Sequence, residues 1–74
     1  MRIRIIADDP RVDVKSCVER LDRRLRPLFA HAVLPERWMA DPYVQLSERC
    51  FVPKEVIIDL IERSGFKVMP PVGF

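Results

Sequence analysis

The segment that most constrains the fold of this chain is Val52–Val68, VPKEVIIDLIERSGFKV. Pro53 suits the first turn of a helix, where its missing N–H would be unpaired in any residue. Gly65 suits the position just after a helix, because glycine takes the left-handed conformation without steric cost. The apolar residues between them recur at helical spacing and predict one buried face: Val56, Ile57, Leu60 and Ile61. We therefore predict a helix over 53–64 and a strand over 66–69.

One further residue of this helix bears on what surrounds it. Ile58 widens the apolar arc to about 200°, which is more than one contact surface usually requires. A helix that only lay on a small sheet would leave Ile58 in water. We therefore expect either the first helix of the chain or a second molecule to cover it.

The N-terminal part of the chain predicts a strand followed by a helix. Residues 1–7, MRIRIIA, alternate in the manner of a strand with one buried face, and this places Arg2 and Arg4 together on the other face. The next helix is predicted over about 10–31, and it is capped either by Asp9 with Pro10 after it or by Asp13. An apolar stripe at helical spacing supports it: Val14, Cys17, Val18, Leu21, Leu25 and Leu28.

Pro27 interrupts this first helix. Inside a helix, proline removes one hydrogen bond and clashes with the carbonyl four residues back. The helix therefore either ends near Leu25 or kinks and continues to about Ala32. The stripe reaches Leu28, which favours the kink.

The remaining segments complete a small single domain over 1–74. We predict a proline-bounded loop over 34–42, a strand over 43–47 and an extended tail over 70–74. The element order is β-α-β-α-β, in the α/β or α+β class. This order predicts a three-stranded sheet with two helices on one face and a second face left open. The strand order and the strand directions stay open.

Several classes of function are disfavoured by what the sequence lacks. Nucleophilic catalysis needs a nucleophile, a base and an orienting group, and no such set is evident. With only two glycines there is no glycine-rich phosphate loop, and Cys17 and Cys50 lack the spacing of a zinc site. His31 is expected to lie at the end of the first helix and to interact with its dipole. We expect no enzyme, no cofactor, no metal and no membrane span, and a cytoplasmic protein with free thiols.

The strongest interaction signal is the run Arg37-Trp38-Met39. Tryptophan and arginine contribute most to interface energies, and methionine adapts to irregular surfaces. The run lies in a predicted loop, where side chains tend to be exposed. Trp38 could equally fold back over a small core. Together with Arg2 and Arg4 on the open sheet face, an exposed Arg37-Trp38-Met39 run predicts a non-catalytic protein-binding module. Such a module would act as an adaptor or as an inhibitor that occludes a larger protein.

Two alternatives come from the distribution of charge. Residues 1–40 carry nine Lys or Arg against six Asp or Glu. Within the first helix, Glu19–Arg23 and Asp22–Arg26 have the spacing of ion pairs. Arg20 and Arg24 are then left for a nucleic-acid backbone. The acidic second helix could instead meet this basic helix across a homodimer, as in an assembly subunit without a ligand.

Overall fold

The computed structural model describes residues 2–35 and 41–69. Within them it has two α-helices and four strands in the order β-α-β-β-α-β, which is the order of the ferredoxin-like, or split β-α-β, arrangement. The elements are β1 Arg2–Ala7, α1 Val14–Leu25, β2 Ala30–Val33, β3 Tyr43–Leu46, α2 Lys54–Arg63 and β4 Phe66–Val68. The predicted α+β class is confirmed. The predicted three strands and the predicted β-α-β-α-β order are wrong, because β2 is an additional strand.

Strand β2 occupies residues that we assigned to the end of the first helix. That helix ends at Leu25, and Pro27 lies in a short 3-10 helix over Arg26–Leu28. Phe29 then takes a left-handed conformation with φ of +59°, which turns the chain into β2. The kinked helix is therefore wrong, and the alternative that ends near Leu25 is right. His31 is a strand residue rather than a helix-terminal one.

The four strands form one sheet in the order β2-β3-β1-β4. Every neighbouring pair is antiparallel. Strand β1 therefore lies between β3 and β4, although β3 is distant from it in sequence. This arrangement brings the N-terminal residues of the chain to the middle of the sheet.

One core lies between the sheet and the two helices. Alternation along the strands points Ile3, Ile5 and Val44 inward, where all three are buried. The buried residues of both helices belong to the same cluster: Val18, Leu21 and Leu25 from α1, and Ile57 and Ile61 from α2. Since the helices share this core and contact each other, they lie on the same face of the sheet. Among residues 2–35 and 41–69, the opposite face carries no helix.

The ends of the helices follow the sequence signals, whereas the burial of one residue within α2 does not. Asp13 caps α1, so the second of the two predicted caps is the right one. Gly65 follows α2 with φ of +90°, as glycine at this position predicts. Val56 was predicted to be buried but is 43% exposed, because α2 turns Ile57 and Ile61 toward the core. Ile58 is half-buried.

Candidate functional site

The side of the sheet opposite the helices is formed by the strand residues that alternate with the core residues. We name it the open sheet face, and its described members are Arg2, Arg4, Ile6, His31, Val33, Tyr43, Gln45 and Lys67. Strand register places Gln45 beside Arg2 and Tyr43 beside Arg4. The two arginines that the sequence assigned to the uncovered face therefore lie on an interior strand of a four-stranded sheet, and Arg2 is the first residue of that strand.

Arg2 is held by two neighbours on β3. Its guanidinium carbon lies 4.7 Å from the centre of the Tyr43 ring. Its Nε donates a hydrogen bond to Oε1 of Gln45 at 3.0 Å. A cation over an aromatic ring at an exposed site gains about 0.5–1 kcal/mol. These two contacts orient the guanidinium and leave its two terminal nitrogens without an acceptor among the described residues.

The other cations of the central and outer strands are each matched by a carboxylate. Arg4 donates to Asp41 at 3.2 Å, and both side chains remain partly exposed. Lys67 lies 3.1 Å from Asp8, which follows β1. Exposed pairs of this kind contribute about 0–1 kcal/mol each, so they neutralise charge more than they stabilise the fold. Arg2 differs from these two cations, because it has no carboxylate partner within the described ranges.

The basic residues of α1 lie away from this face and are partly engaged. Arg24, which the sequence leaves unpaired, donates from Nη1 to Oγ of Ser64 at 3.3 Å. The predicted pair of Asp22 with Arg26 is present at 2.9 Å. Arg20 and Arg23 are exposed, and within residues 2–35 and 41–69 neither has an ion-pair partner. Arg20 is therefore the freer of the two arginines assigned to the nucleic-acid alternative.

Asp22 has a second role that the sequence did not reveal. Its Oδ1 accepts a hydrogen bond from the backbone N–H of Ala32 at 3.0 Å. The same oxygen lies 3.7 Å from Nδ1 of His31. Because β2 is an edge strand, the Ala32 N–H points outward and could pair with a strand of another chain. The Asp22 carboxylate accepts this hydrogen bond instead. We therefore interpret the contacts of Asp22 as protecting the edge of β2 from pairing with another chain, and not as part of a catalytic site.

Tyr43 and Gln45 are the members of the site that sequence reasoning missed. Both were assigned only to a short strand, without a role. Their alternation with the apolar Val44 was the available signal, since it places them on one face. That this face adjoins Arg2 depends on β1 pairing with β3, which the sequence left open.

Other predicted features can be located only in part. Arg37, Trp38 and Met39 lie outside the described residues, as does the tail over 70–74. Cys17 and Cys50 are free and half-buried beside the core. Over the described ranges, no group of three or more His, Cys, Asp or Glu side chains could hold a metal ion. In the same ranges, no helix has the length and apolar character needed to cross a membrane.

Comparison with known proteins adds no relative to these observations. The chain matches no family model, no curated protein and no solved structure. The order of its elements describes an architecture that serves many unrelated functions. The functional argument therefore rests on the residues of the open sheet face.

Proposed function

We propose that this protein is a non-catalytic protein-binding module that docks its partner on the open sheet face. One observation carries the proposal: the guanidinium of Arg2, on an interior strand, is oriented by Tyr43 and Gln45 on a sheet face that has no helix among the described residues. Arginine and tyrosine are among the residues that contribute most to interface energies. An arginine held in place before binding loses less conformational entropy when the partner arrives.

Other residues of the open sheet face support the same proposal. Ile6 lies on β1 and is 45% exposed, and Val33 lies opposite Tyr43 on β2. Apolar side chains on the same face as an oriented cation provide the mixed surface that protein interfaces use. Binding across this face would occlude part of a larger protein, in the manner of an adaptor or an inhibitor.

A crosslinking experiment in cells that make the protein tests the docking face. A photo-activated side chain replaces Ile6 in one variant and Val56 in another. The two positions are 45% and 43% exposed, but they lie on the sheet face and on α2 respectively. We expect a protein to be crosslinked at position 6 and not at 56, and Arg2→Ala to reduce the yield.

Other results of this experiment would contradict the proposal. Equal yields at the two positions would remove the role of the open sheet face. A crosslinked product that nuclease digests would favour the nucleic-acid alternative. Loss of that product in the Arg20→Ala variant would place the nucleic-acid contact on α1. A product that contains only this chain would favour the assembly alternative.

The segment Arg37-Trp38-Met39 belongs to the same proposal. It joins β2 to β3, and Asp41, the first described residue after it, is bonded to Arg4 of the open sheet face. We predict that Trp38→Ala weakens partner binding and leaves unfolding cooperative, because an interface tryptophan contributes binding energy rather than core packing. Crosslinking yield and urea unfolding measure the two effects. Loss of cooperative unfolding would instead assign Trp38 to the core.

A further inference from the structure

The ligand of Arg2 can be inferred from the hydrogen bonds that it has not formed. Its Nε is used by Gln45 at 3.0 Å, and one face of its guanidinium lies over the ring of Tyr43. The two terminal nitrogens lie in the guanidinium plane, and their N–H donors have no acceptor among the described residues. Two parallel donors in one plane match the two oxygens of a carboxylate.

Resting on the proposed function, we infer that Arg2 binds a carboxylate side chain in an extended acidic segment of the partner protein. Charge complementarity supports this occupant. Arg4 and Lys67 are already paired with Asp41 and Asp8, whereas Arg2 has no carboxylate within the described ranges. Among the described residues of this face, Arg2 is therefore the lysine or arginine whose charge is left to be neutralised. Further along the same face, Ile6 lies opposite Lys67 and Val33 lies opposite Tyr43, and these apolar side chains suit a segment in which acidic residues are interspersed with less polar ones.

The same contacts disfavour a nucleic acid as the ligand of this face. A single strand is held by bases stacked on aromatic rings and by several phosphates along a basic groove. Tyr43 is the aromatic residue of the described open sheet face, and Arg2 already lies over its ring. Two of the cations that could contact further phosphates are matched by Asp8 and Asp41.

Three probes distinguish these ligands in nuclear magnetic resonance titrations of the full chain. The first is a short peptide in which glutamate alternates with threonine, and the second has glutamine in place of glutamate. The third is a short thymidine oligonucleotide. We expect the glutamate peptide alone to produce saturable shifts of the Arg2 Nε–H and Tyr43 signals.

Matched variants test the geometry of the contact. Arg2→Lys keeps the charge but removes the planar pair of donors, so the affinity for the glutamate peptide should fall roughly tenfold. Tyr43→Leu removes the stacking surface, and a loss of about twofold to fivefold is expected. Arg20→Lys on α1 should leave the affinity unchanged. The two sheet variants should unfold cooperatively, since the side chains concerned are not part of the core cluster.

The inference is overturned if the glutamine peptide binds as well as the glutamate peptide, if the oligonucleotide binds more tightly than both, or if no probe binds. Each of these results leaves the proposed function separately testable. A partner protein crosslinked at position 6 in an Arg2-dependent way would still establish docking on the open sheet face. Failure of that crosslink would remove the docking function itself.

Discussion

At the scale of single residues, Gly65 ends α2 in a conformation that other residues adopt at a cost. Its φ is +90°, and a Cβ added there would meet nothing within 4 Å. Gly65→Ala therefore has only a backbone penalty, and the free energy of unfolding should fall by about 1 kcal/mol. Urea unfolding measures the change. Gly65→Asn should lower the free energy of unfolding by less than Gly65→Ala does, because asparagine tolerates the left-handed region. Equal decreases in the two variants would contradict this explanation.

Asp13, which caps α1, makes a contribution to stability that depends on pH. Hydrogen bonds from the side chain and then the backbone of Ser16 lower the pKa of Asp13 below its ordinary value of 3.8. The folded state therefore favours the carboxylate. This contribution to stability is complete above the ordinary pKa and is lost as the pH falls through the lower folded value.

Asp13→Asn keeps a capping oxygen but does not titrate. We predict that the stability advantage of the wild-type chain over this variant shrinks as the pH is lowered from about 6 to about 3. Chemical unfolding of both chains across that range measures the difference. Asp9, whose pKa is also lowered by hydrogen bonds from the backbone and side chain of Arg11, is present in both chains and cancels. Parallel stability curves would show that the cap makes no pH-dependent contribution.

At the scale of elements, the sequence predicted those whose signals lie within a few neighbouring residues. Gly65 and the helical spacing before it locate α2, and strict alternation locates β1. Strand β2 was missed because it has four residues, two of which are alanines, and because the apolar stripe of α1 continues to Leu28. Its identity depends on pairing with β3, which no local pattern encodes.

The candidate site also has a part that local sequence patterns predicted and a part that they could not. Alternation alone placed Arg2 and Arg4 on the face opposite Ile3 and Ile5. That Tyr43 adjoins them could not be predicted, because it requires the strand order β3-β1, and β3 follows β1 only after a helix and another strand. Lateral contacts across a sheet are a property of topology, whereas the facing of a side chain is a property of one strand.

Asp22 offers a test at this scale because it joins α1 to the edge of β2. Asp22→Ala removes the acceptor of the Ala32 N–H, which lies at 3.0 Å, and the partner of Arg26. We expect the free energy of unfolding to fall by about 1–3 kcal/mol, since a partly buried donor loses its acceptor. Hydrogen exchange at the Ala32 amide should become faster.

Glu19 supplies the control for this substitution. It lies on the same helix, is exposed, and has no ion pair within the described ranges. Glu19→Ala should therefore change stability by no more than about 0.5 kcal/mol. If the two variants lose the same stability, the contact with β2 does not stabilise the edge.

At the scale of the whole molecule, the chain presents two surfaces of different character. The open sheet face combines an oriented arginine with paired charges. On the segment that leads into α2, Phe51 is 91% exposed, and Val56 within that helix is 43% exposed. A chain of 74 residues has a small core, and small domains are often stabilised by association. The apolar residues near α2 are therefore where the assembly alternative would be tested.

Phe51→Ser separates folding from assembly. Because the side chain is 91% exposed, its loss should change the free energy of unfolding of the isolated chain by no more than about 0.5 kcal/mol. If copies of the chain associate through this residue, the melting temperature of the wild-type chain rises with concentration, and that of Phe51→Ser does not. A concentration dependence that survives Phe51→Ser but is lost in Arg2→Ala would place self-association on the open sheet face, where it would compete directly with the proposed protein partner.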